Sequence, residues 1–260
     1  MIPVALTIAG SDPIGGAGIQ ADLKTFHQFG VYGEAAITLL TVQNSRSVYR
    51  IEILPPDLVA AQISTVVEDI PPAAAKTGAL GSAAIVATVA ELASFFQFPL
   101  VVDPVLIGKH GQALLDPDAC RVLRQRLLPR AALLTPNLPE AEALSGIAIR
   151  TPDDRRRAAG RLHQMGARAV LIKGGHGEGD PVDLLFDGVE WREFRSARIA
   201  TMHTHGTGCT YSAAIAAGLA LGLPLADAVG RAQRYVGEAI RTNPGLGHGA
   251  GPLNHFAEAS

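Results

Sequence analysis

Short apolar runs rich in β-branched residues alternate with longer amphipathic stretches along the first part of the chain. Residues 4–9 and 36–42 have the composition of buried strands, whereas residues 19–29 and 56–69 show the spacing of amphipathic helices. Strands joined by helical crossovers in this order pair in parallel, because each helix returns the chain to the same end of the sheet. The pattern predicts an α/β fold with a parallel sheet covered by helices on both faces.

The same alternation continues to the end of the chain, with one interruption. Further predicted elements are strands at residues 100–105, 132–135 and 169–173 and helices at residues 152–165, 208–221 and 225–241. Residues 182–186 and 189–199 break the rhythm and suit antiparallel or edge strands. Because no repeat or linker divides the chain, residues 1–260 are expected to form one domain.

Composition and charge narrow the classes of function. Hydrophobic residues make up 48% of the chain and charged residues 18%, which is enough apolar surface for a large core. The net charge of -2 provides no positive field for a nucleic-acid backbone. Neither a signal peptide nor an apolar run of roughly 20 residues is found, so no membrane association is expected. Cys120 and Cys209 show no metal-binding or disulfide spacing, and a reducing cytoplasm is expected.

The strongest chemical signal is a glycine-rich turn at the start of a small-residue helix, where Gly206, Thr207, Gly208, Cys209 and Thr210 follow one another. Backbone N–H groups at a helix N-terminus lack intrahelical acceptors and lie at the positive end of the helix dipole. This arrangement can hold a phosphoryl group without a basic side chain. The alternative is an ordinary turn in which Thr207 is the N-cap.

Polar residues that follow predicted strands indicate a second part of the same site. Lys173 ends one strand and Asp103 another, and open α/β sheets bind ligands at the carboxyl ends of their strands. Asn137 and Glu140 are one helical turn apart and could offer oxygen ligands to Mg²⁺, with Asp103 as a second carboxylate. Alternatively, Asn137 and Glu140 are only the N-cap and N3 residues of a capping box.

Several motifs occur in a fixed order along almost the whole chain. They are Gly10-Ser11-Asp12, Gly15-Gly16-Ala17-Gly18, Val42-Gln43-Asn44, Lys76-Thr77-Gly78, Val102-Asp103-Pro104, Thr135-Pro136-Asn137, Lys173-Gly174-Gly175-His176, His205-Gly206-Thr207-Gly208-Cys209-Thr210 and Gly251-Pro252-Leu253. With this ordered set the chain resembles the bacterial hydroxymethylpyrimidine/phosphomethylpyrimidine kinases of the ribokinase-like superfamily. The resemblance implies a three-layer α/β/α sandwich with a mostly parallel central sheet.

The resemblance also implies a reaction and its cofactors. ATP and Mg²⁺ would be used to phosphorylate a hydroxymethylpyrimidine and then its monophosphate in thiamine biosynthesis, by a cytoplasmic homodimer. Asn137, Lys173, Thr207 and Gly208 would bind the ATP phosphates, and Glu140 and Asp103 the metal. Cys209 would be the catalytic base, assisted by Lys173 and the turn Gly206-Thr207-Gly208. Because a helix N-terminus favours an anion, the thiol pKa of Cys209 is expected to be lowered; the alternative is a buried core cysteine.

On the substrate side, the resemblance assigns Gly10, Asp22, Gln43 and His248. Gly10 would allow close approach of the planar ring, Asp22 and Gln43 would hydrogen-bond the aminopyrimidine, and His248 would approach it from the C-terminal loop. Alternatively, Asp22 is a helix-face carboxylate that pairs with a neighbouring lysine. Lys109 and His110 are candidate partners for the phosphate of the monophosphate substrate.

Two other functions remain open. Ala79 replaces a methionine that is frequent in the family, which implies a wider pocket, so pyridoxal or pyridoxine could be the acceptor. A catalytically silent pyrimidine-binding protein is the second alternative, although Asn137, Glu140, Lys173 and Cys209 would be superfluous in it.

Overall fold

A computed structural model describes residues 2–108, 111, 114–175, 177 and 179–259. All of its strands belong to one sheet. They are β1 (Val4–Ser11), β2 (Tyr32–Gln43), β3 (Val48–Ile53), β4 (Ala74–Thr77), β5 (Leu100–Val102), β6 (Leu133–Leu134), β7 (Val170–Ile172), β8 (Val182–Phe186) and β9 (Trp191–Arg195). The spatial order is β3-β2-β1-β4-β5-β6-β7-β8-β9. The strands from β2 to β7 in this order pair in parallel, whereas β3, β8 and β9 are antiparallel to their neighbours.

Helices cover both faces of this sheet. They are α1 (Gly18–Gln28), α2 (Pro56–Asp69), α3 (Ala83–Leu92), α4 (Pro117–Val122), α5 (Leu138–Ser145), α6 (Pro152–Gln164), α7 (Thr207–Ala220) and α8 (Leu225–Arg241). After α4 the chain continues through a π-helical turn, Leu123–Leu127, and a 3₁₀ turn, Leu128–Arg130. Within the described residues, no helix combines the length and the apolar character that a bilayer span requires.

Two apolar cores lie on opposite faces of the sheet and make it a three-layer α/β/α sandwich. Helices α2 to α6 bury their apolar sides on one face, and α1, α7 and α8 on the other. Helix α7 is buried along most of its length, because small residues such as Ala213, Ala216 and Ala217 allow it to approach the sheet closely. The layered fold with a mostly parallel sheet is therefore confirmed.

The sequence pattern located most elements but not all of them. The predicted helices at 56–69 and 225–241 and the strand at 182–186 have the observed bounds, and β9 is the antiparallel edge strand that the break in rhythm indicated. The elements β3, β4, α3 and α4 were not predicted. Strand β4 has the sequence Ala-Ala-Lys-Thr, which carries no strand signal, yet all four residues are buried at the centre of the sheet.

Glu34 on β2 is a buried carboxyl group away from the strand ends that form the site. Among the described residues its Oε2 atom has no hydrogen-bond partner. Burial, followed by the nearby Asp69 carboxylate, raises the pKa of Glu34 to about 7. The folded protein therefore holds a proton on Glu34 at pH values where the unfolded chain has released it.

Glu34→Gln is expected to increase the free energy of unfolding at pH 8 by on the order of 1 kcal/mol, because the cost of a buried carboxylate disappears. Near pH 4 the glutamate is protonated in both the folded and the unfolded chain. The difference in unfolding free energy between the variant and the wild type should therefore vanish as pH falls from about 7 to below 4.5. Urea unfolding at pH 4 and pH 8 measures this difference, with Glu68→Gln, at an exposed position, as the control. The same difference at pH 4 and pH 8 would contradict the expectation.

Candidate active site

The glycine-rich turn at the start of α7 is packed backbone to backbone against the loop after β1. Gly206 is the N-cap of α7 and has a φ of 82°, in the left-handed region. A Cβ atom at Gly206 would overlap the carbonyl oxygen of Gly16. Only glycine adopts this φ without strain and leaves room for the Gly16 carbonyl oxygen. Gly206 therefore fixes the position of the helix start relative to the β1 loop.

The first turn of α7 presents backbone amide groups, as predicted. The alternative prediction, in which Thr207 is the N-cap of this helix, is not met. The Thr207 amide and hydroxyl both donate to the carbonyl oxygen of Thr204, at 3.4 and 2.9 Å, and the Thr210 amide donates to Gly206 at 2.8 Å. Thr207 is thus inside the helix and is not its N-cap. The amides of Gly208 and Cys209 lie between these bonds, in the turn where a helix provides no acceptor of its own.

Lys173 brings positive charge to this helix start. It follows β7, and its Nζ atom lies 2.9 Å from Oδ1 of Asp103, which follows β5. A Cβ atom at Gly208 would be 3.3 Å from Lys173 Nζ and 3.7 Å from Asp103 Oδ2. The structure therefore places Lys173, Asp103 and Gly208 together, although they are far apart in the sequence.

The charge of Lys173 is maintained by its neighbours. Burial alone would lower the pKa of its ammonium group, but the carboxylates of Asp103 and Glu140 more than offset this effect, and the pKa is raised. Lys173 is consequently a cation at neutral pH, held beside an anion-binding helix terminus. This combination suits an anion with several oxygens, such as a phosphoryl group.

Asn137 and Glu140 form the capping box that was the alternative to a metal site. The Asn137 side chain accepts a hydrogen bond from the Glu140 amide at 2.9 Å, and Glu140 Oε2 accepts one from the Asn137 amide at 2.9 Å. Glu140 Oε1 also accepts from the amide of Leu106 at 3.3 Å. The capping role is therefore confirmed, and it fixes the Glu140 carboxylate at the start of α5.

The capping role leaves Glu140 within the electrostatic reach of Lys173 and Asp103. Burial and the Asp103 carboxylate raise the pKa of Glu140, and Lys173 partly opposes them. The described residues contain no cluster of three or more histidine, cysteine or acidic side chains around one point. Two carboxylates fit a Mg²⁺ ion that retains waters and takes its other ligands from phosphates, rather than a metal caged by protein.

Cys209 lies in the first turn of α7, but its thiol does not have the expected acidity. Burial raises the pKa of Cys209 to about 11, although the Lys76 ammonium group and a hydrogen bond from the Gly18 amide act in the opposite direction. The prediction of a lowered pKa is therefore wrong. The positive end of the helix does not outweigh the loss of water around the sulfur atom and the nearby carboxylates of Asp22 and Asp103.

The substrate-side residues are only partly where the resemblance placed them. Asp22 has no exposed surface, and its carboxylate accepts a hydrogen bond from Thr7 at 2.6 Å and pairs with Lys76 at 3.1 Å. The direct substrate contact assigned to Asp22 is therefore wrong, because the carboxylate is enclosed. The alternative was wrong about the partner, because Lys76 is 54 residues away on β4 and is not a neighbouring lysine on the helix face. The assignment of Gly10 stays a prediction. The space of its missing side chain is occupied by Leu39, whose Cδ1 lies 2.5 Å from an added Cβ, so the absence of a side chain serves packing on that side.

Gln43 and His248 lie on two adjoining loops at the edge of the same region. Gln43 ends β2, is half-buried and hydrogen-bonds the Asp12 carboxylate. His248 is exposed, and its amide donates to the Ser45 hydroxyl at 3.1 Å, which holds the C-terminal loop against the β2–β3 turn. Both assignments stay predictions. Lys109 and His110 lie outside the described residues, as does His176 of the Lys173 motif.

Sequence reasoning missed the roles of Asp12 and His205. Asp12 accepts amide hydrogen bonds from Ile14, Gly16 and Ala17, and its Oδ2 lies 2.8 Å from Nε2 of His205. Burial alone would raise the pKa of Asp12, but bonds with His205 and Gln43 bring it below the usual value. An aspartate before a glycine-rich turn is a known loop-ordering signal and could have indicated this role.

The Asp12–His205 pair joins the two loops that form the site. The Asp12 carboxylate organises the β1 loop. His205 lies in the turn before α7, and its backbone amide also donates to the carbonyl oxygen of Gly251 at 3.1 Å. The glycine-rich turn is thus held from the β1 side and from the C-terminal loop. The backbone donors of this turn are therefore fixed in place, which is the condition for a preorganised anion site.

Taken together, the three-layer fold, the glycine-rich start of α7 and the Lys173–Asp103 pair at the strand ends define a ribokinase-like small-molecule kinase. The family model for phosphomethylpyrimidine kinase matches residues 12–254, which include the start of α7 and the Lys173–Asp103 pair. The chain belongs to the phosphomethylpyrimidine kinase family.

Curated relatives agree with this family. A thiamine biosynthesis bifunctional protein from Geobacter sulfurreducens is 52% identical over 256 residues, which are 98% of this chain but 52% of that protein, so this chain spans about half its length. A hydroxymethylpyrimidine/phosphomethylpyrimidine kinase from Streptomyces coelicolor is 50% identical over 253 residues, 97% of this chain and 94% of that protein.

Solved structures with the same fold include both kinds of vitamin kinase. A phosphomethylpyrimidine kinase from Clostridium difficile superposes with a TM-score of 0.83 at 43% identity, covering 92% of this chain and 99% of that chain. A Bacillus subtilis pyridoxal kinase, solved with ADP, superposes with a TM-score of 0.91 at 38% identity, covering 99% of this chain and 98% of that chain.

Proposed function

We propose that this kinase transfers the γ-phosphoryl group of ATP to the hydroxymethyl group of 4-amino-5-hydroxymethyl-2-methylpyrimidine, and then phosphorylates the monophosphate, in thiamine biosynthesis. The observation that carries the reaction type is the position of Lys173 Nζ beside Gly208 at the start of α7. The substrate is supported by the names of the curated relatives, which are hydroxymethylpyrimidine/phosphomethylpyrimidine kinases.

In the proposed reaction, the acceptor oxygen forms a bond to the γ-phosphorus while the bond between that phosphorus and the β–γ bridging oxygen breaks, which releases ADP. The amides of Gly208 and Cys209 bind the transferring phosphoryl oxygens, with Thr207 beside them. Lys173 offsets the negative charge on the β- and γ-phosphates, and Asn137 contacts the same phosphates. Most of the rate enhancement then comes from positioning and charge stabilisation, as is usual for phosphoryl transfer.

Mg²⁺ would be held near Glu140 and Asp103, mainly through water and the nucleotide phosphates. When bound, it would neutralise phosphate charge beside these two carboxylates. Burial and the Asp103 carboxylate disfavour the ionised form of Glu140, and a cation bound beside it would favour that form.

Cys209 is proposed to accept the proton of the hydroxymethyl group. Since its thiol pKa is about 11, only a small fraction is thiolate at neutral pH. The logarithm of kcat/KM is therefore expected to rise with a slope near one from pH 7 towards pH 10. Cys209→Ala should lose this slope and roughly 10²- to 10³-fold in kcat/KM at pH 9, within the range typical of general base catalysis.

The test of the Cys209 role is a pH–rate profile in saturating Mg²⁺ and ATP, with Cys120→Ser as the matched cysteine control. Cys120 lies at α4 and its loss should leave the profile unchanged. A rising profile that persists in Cys209→Ala would show that another group takes the proton.

Pyridoxal kinase is the second candidate function. The B. subtilis pyridoxal kinase covers almost the whole chain at a TM-score of 0.91, and Ala79 leaves room for a bulkier ring. We expect ADP release with the hydroxymethylpyrimidine and with its monophosphate at rates well above that with pyridoxal. Preference for pyridoxal would reassign the substrate, and tight pyrimidine binding without ADP release with any of the three acceptors would support a silent binding protein.

The proposed assembly is a homodimer in the cytoplasm, where ATP is available. The β2–β3 hairpin carries the exposed apolar side chains Leu40, Val42, Tyr49 and Ile53, a surface that suits burial against a second copy. A single monomeric species in light scattering at micromolar concentration would contradict the dimer.

A further inference from the structure

A buried ion pair lies directly beneath the candidate active site. Lys76 is at the centre of β4, between Thr7 of β1 and Val101 of β5, and its side chain is fully buried. Its Nζ atom lies 3.1 Å from both carboxylate oxygens of Asp22, which projects from α1. Asp22 is fully buried as well, and the Thr7 hydroxyl donates to its Oδ2 at 2.6 Å. Both charged groups are thus enclosed between the sheet, α1 and α7.

The ammonium group of Lys76 is directed towards the strand ends where the site is. A Cβ atom at Gly78, which follows β4, would lie 3.3 Å from Lys76 Nζ. A side chain at Gly78 would therefore crowd this charge. The pair is consequently not part of the distant apolar core but lies under the active-site edge of the sheet.

Cys209 is the third member of this cluster. It lies in the first turn of α7, which packs on both β4 and α1, the two elements that carry Lys76 and Asp22. Burial raises the pKa of Cys209 most, and the charges of Lys76, which lowers the pKa, and Asp22, which raises it, act on the same thiol. The Gly18 amide, at the start of α1, also donates to it. A buried ion pair is seldom needed for stability, because apolar residues of similar volume often serve as well. The position next to the proposed base suggests another role.

We infer that Lys76 is a positioning residue that acts through Cys209: its buried ammonium group stabilises the negative charge on the sulfur atom, and Asp22 holds Lys76 in place while limiting that effect. This inference deepens the proposed function, because it rests on Cys209 as the acceptor of the hydroxymethyl proton. The proton passes from the substrate oxygen to the thiolate, which becomes a thiol, and Lys76 neither gains nor loses a proton.

Charge counting shows how the two residues oppose each other. With Lys76 and Asp22 both ionised, the pair is neutral, and a thiolate adds an uncompensated negative charge to a buried site. Without the Asp22 charge, the thiolate becomes the counter-ion of Lys76 and the site is neutral when Cys209 is ionised. Lys173 and Asp103 also act on the Cys209 thiol, but they form an ion pair of their own that is the same in every variant. Without the charges of Lys76 and Asp22, the thiolate loses the counter-charge of Lys76 and its formation is disfavoured.

The experiment measures the alkylation of Cys209 by iodoacetamide as a function of pH, in the full chain with Cys120→Ser so that one cysteine reacts. Only the thiolate reacts, so the rate at pH 7 to 9 reports its fraction. Asp22→Asn keeps the size and a hydrogen-bonding group for Thr7 but removes the charge. Asp22→Asn/Lys76→Met removes both charges without leaving an unpaired buried ion. Circular dichroism and thermal unfolding of each variant show that the fold is retained.

Asp22→Asn is expected to increase the alkylation rate constant at pH 8 at least tenfold over the Cys120→Ser background. The double variant should fall at least tenfold below Asp22→Asn. A purely structural role of the pair predicts equal rates in the two variants, and this result would overturn the inference. If the double variant does not fold, an unchanged rate in Asp22→Asn alone overturns it too.

The alkylation readout needs neither ATP nor a pyrimidine, so it separates this inference from the proposed function. If the two variants differ as expected while the wild-type chain phosphorylates no pyrimidine, the charge effect stands and the proposed substrate fails. If pyrimidine phosphorylation is found but the alkylation rates do not differ, the proposed function stands and the role of Lys76 fails.

Discussion

Lys173→Met is expected to lower kcat/KM for the pyrimidine by roughly 10³-fold, with most of the loss in kcat, because a fixed cation at a transferring phosphoryl group stabilises charge that develops in the transition state. The expectation rests on the position of Nζ, which is 2.9 Å from Asp103 and next to Gly208 at the start of α7. Steady-state kinetics with saturating Mg²⁺ and ATP measure the effect.

The same substitution leaves Asp103 as a buried carboxylate without its cation, which is expected to cost about 3 kcal/mol in the free energy of unfolding. Lys173→Met/Asp103→Asn removes both charges and should regain most of that stability without regaining activity. The double variant therefore distinguishes catalysis from folding. Activity of folded Lys173→Met within about threefold of wild type would exclude Lys173 from phosphoryl transfer.

Gly206→Ala is expected to be strongly damaging, because an added Cβ at Gly206 makes the shortest contact found at any glycine that the structure describes. An alanine at a φ of 82° costs about 1 to 2 kcal/mol through backbone strain alone. Its Cβ would also overlap the carbonyl oxygen of Gly16, so the β1 loop and the start of α7 must move apart. We expect a loss of at least about 3 kcal/mol in unfolding free energy, and a fall of roughly 10²-fold or more in kcat for the protein that remains folded, because misplaced donors stabilise the transition state poorly.

Gly222→Ala is the matched control for Gly206→Ala. Gly222 follows the other end of α7 with a nearly equal φ of 80°, and no atom of the described residues lies within 4 Å of an added Cβ. It should show the strain cost of about 1 to 2 kcal/mol without a loss of kcat. Equal losses of stability and activity in the two variants would mean that the contact with Gly16 does not determine the site.

The expected effects of substitutions at Lys173 and Gly206 share one physical origin. The site holds its donors and its cation in place before the substrates arrive, through Gly206 against Gly16, the Asp12–His205 pair and the Lys173–Asp103 pair. A preorganised site does not spend reaction energy on reorientation, and each of these contacts joins segments far apart in the chain. This explains why single substitutions at the contacts should affect kcat strongly.

Much of the architecture could be derived from the sequence because its signals are local. The helices at 56–69 and 225–241 begin at or just after a proline and have one apolar side, and both were predicted with their observed bounds. The glycine-rich helix start, the strand-terminal Lys173 and the ordered motifs likewise indicate a phosphate site and a family from the sequence alone. Periodicity, helix starts and motif order are properties of neighbouring residues, so one sequence is enough to read them.

Tertiary structure alone decided the residues whose role depends on partners distant in the chain. Strand β4 carries a lysine in a short run without strand pattern, and it is buried because Asp22, 54 residues away, provides its counter-ion. The same enclosure removed Asp22 from the substrate contacts, and loss of water around Cys209 reversed the predicted change in its thiol pKa. Burial and the sum of surrounding charges depend on the packing of all layers, and no local pattern contains that sum.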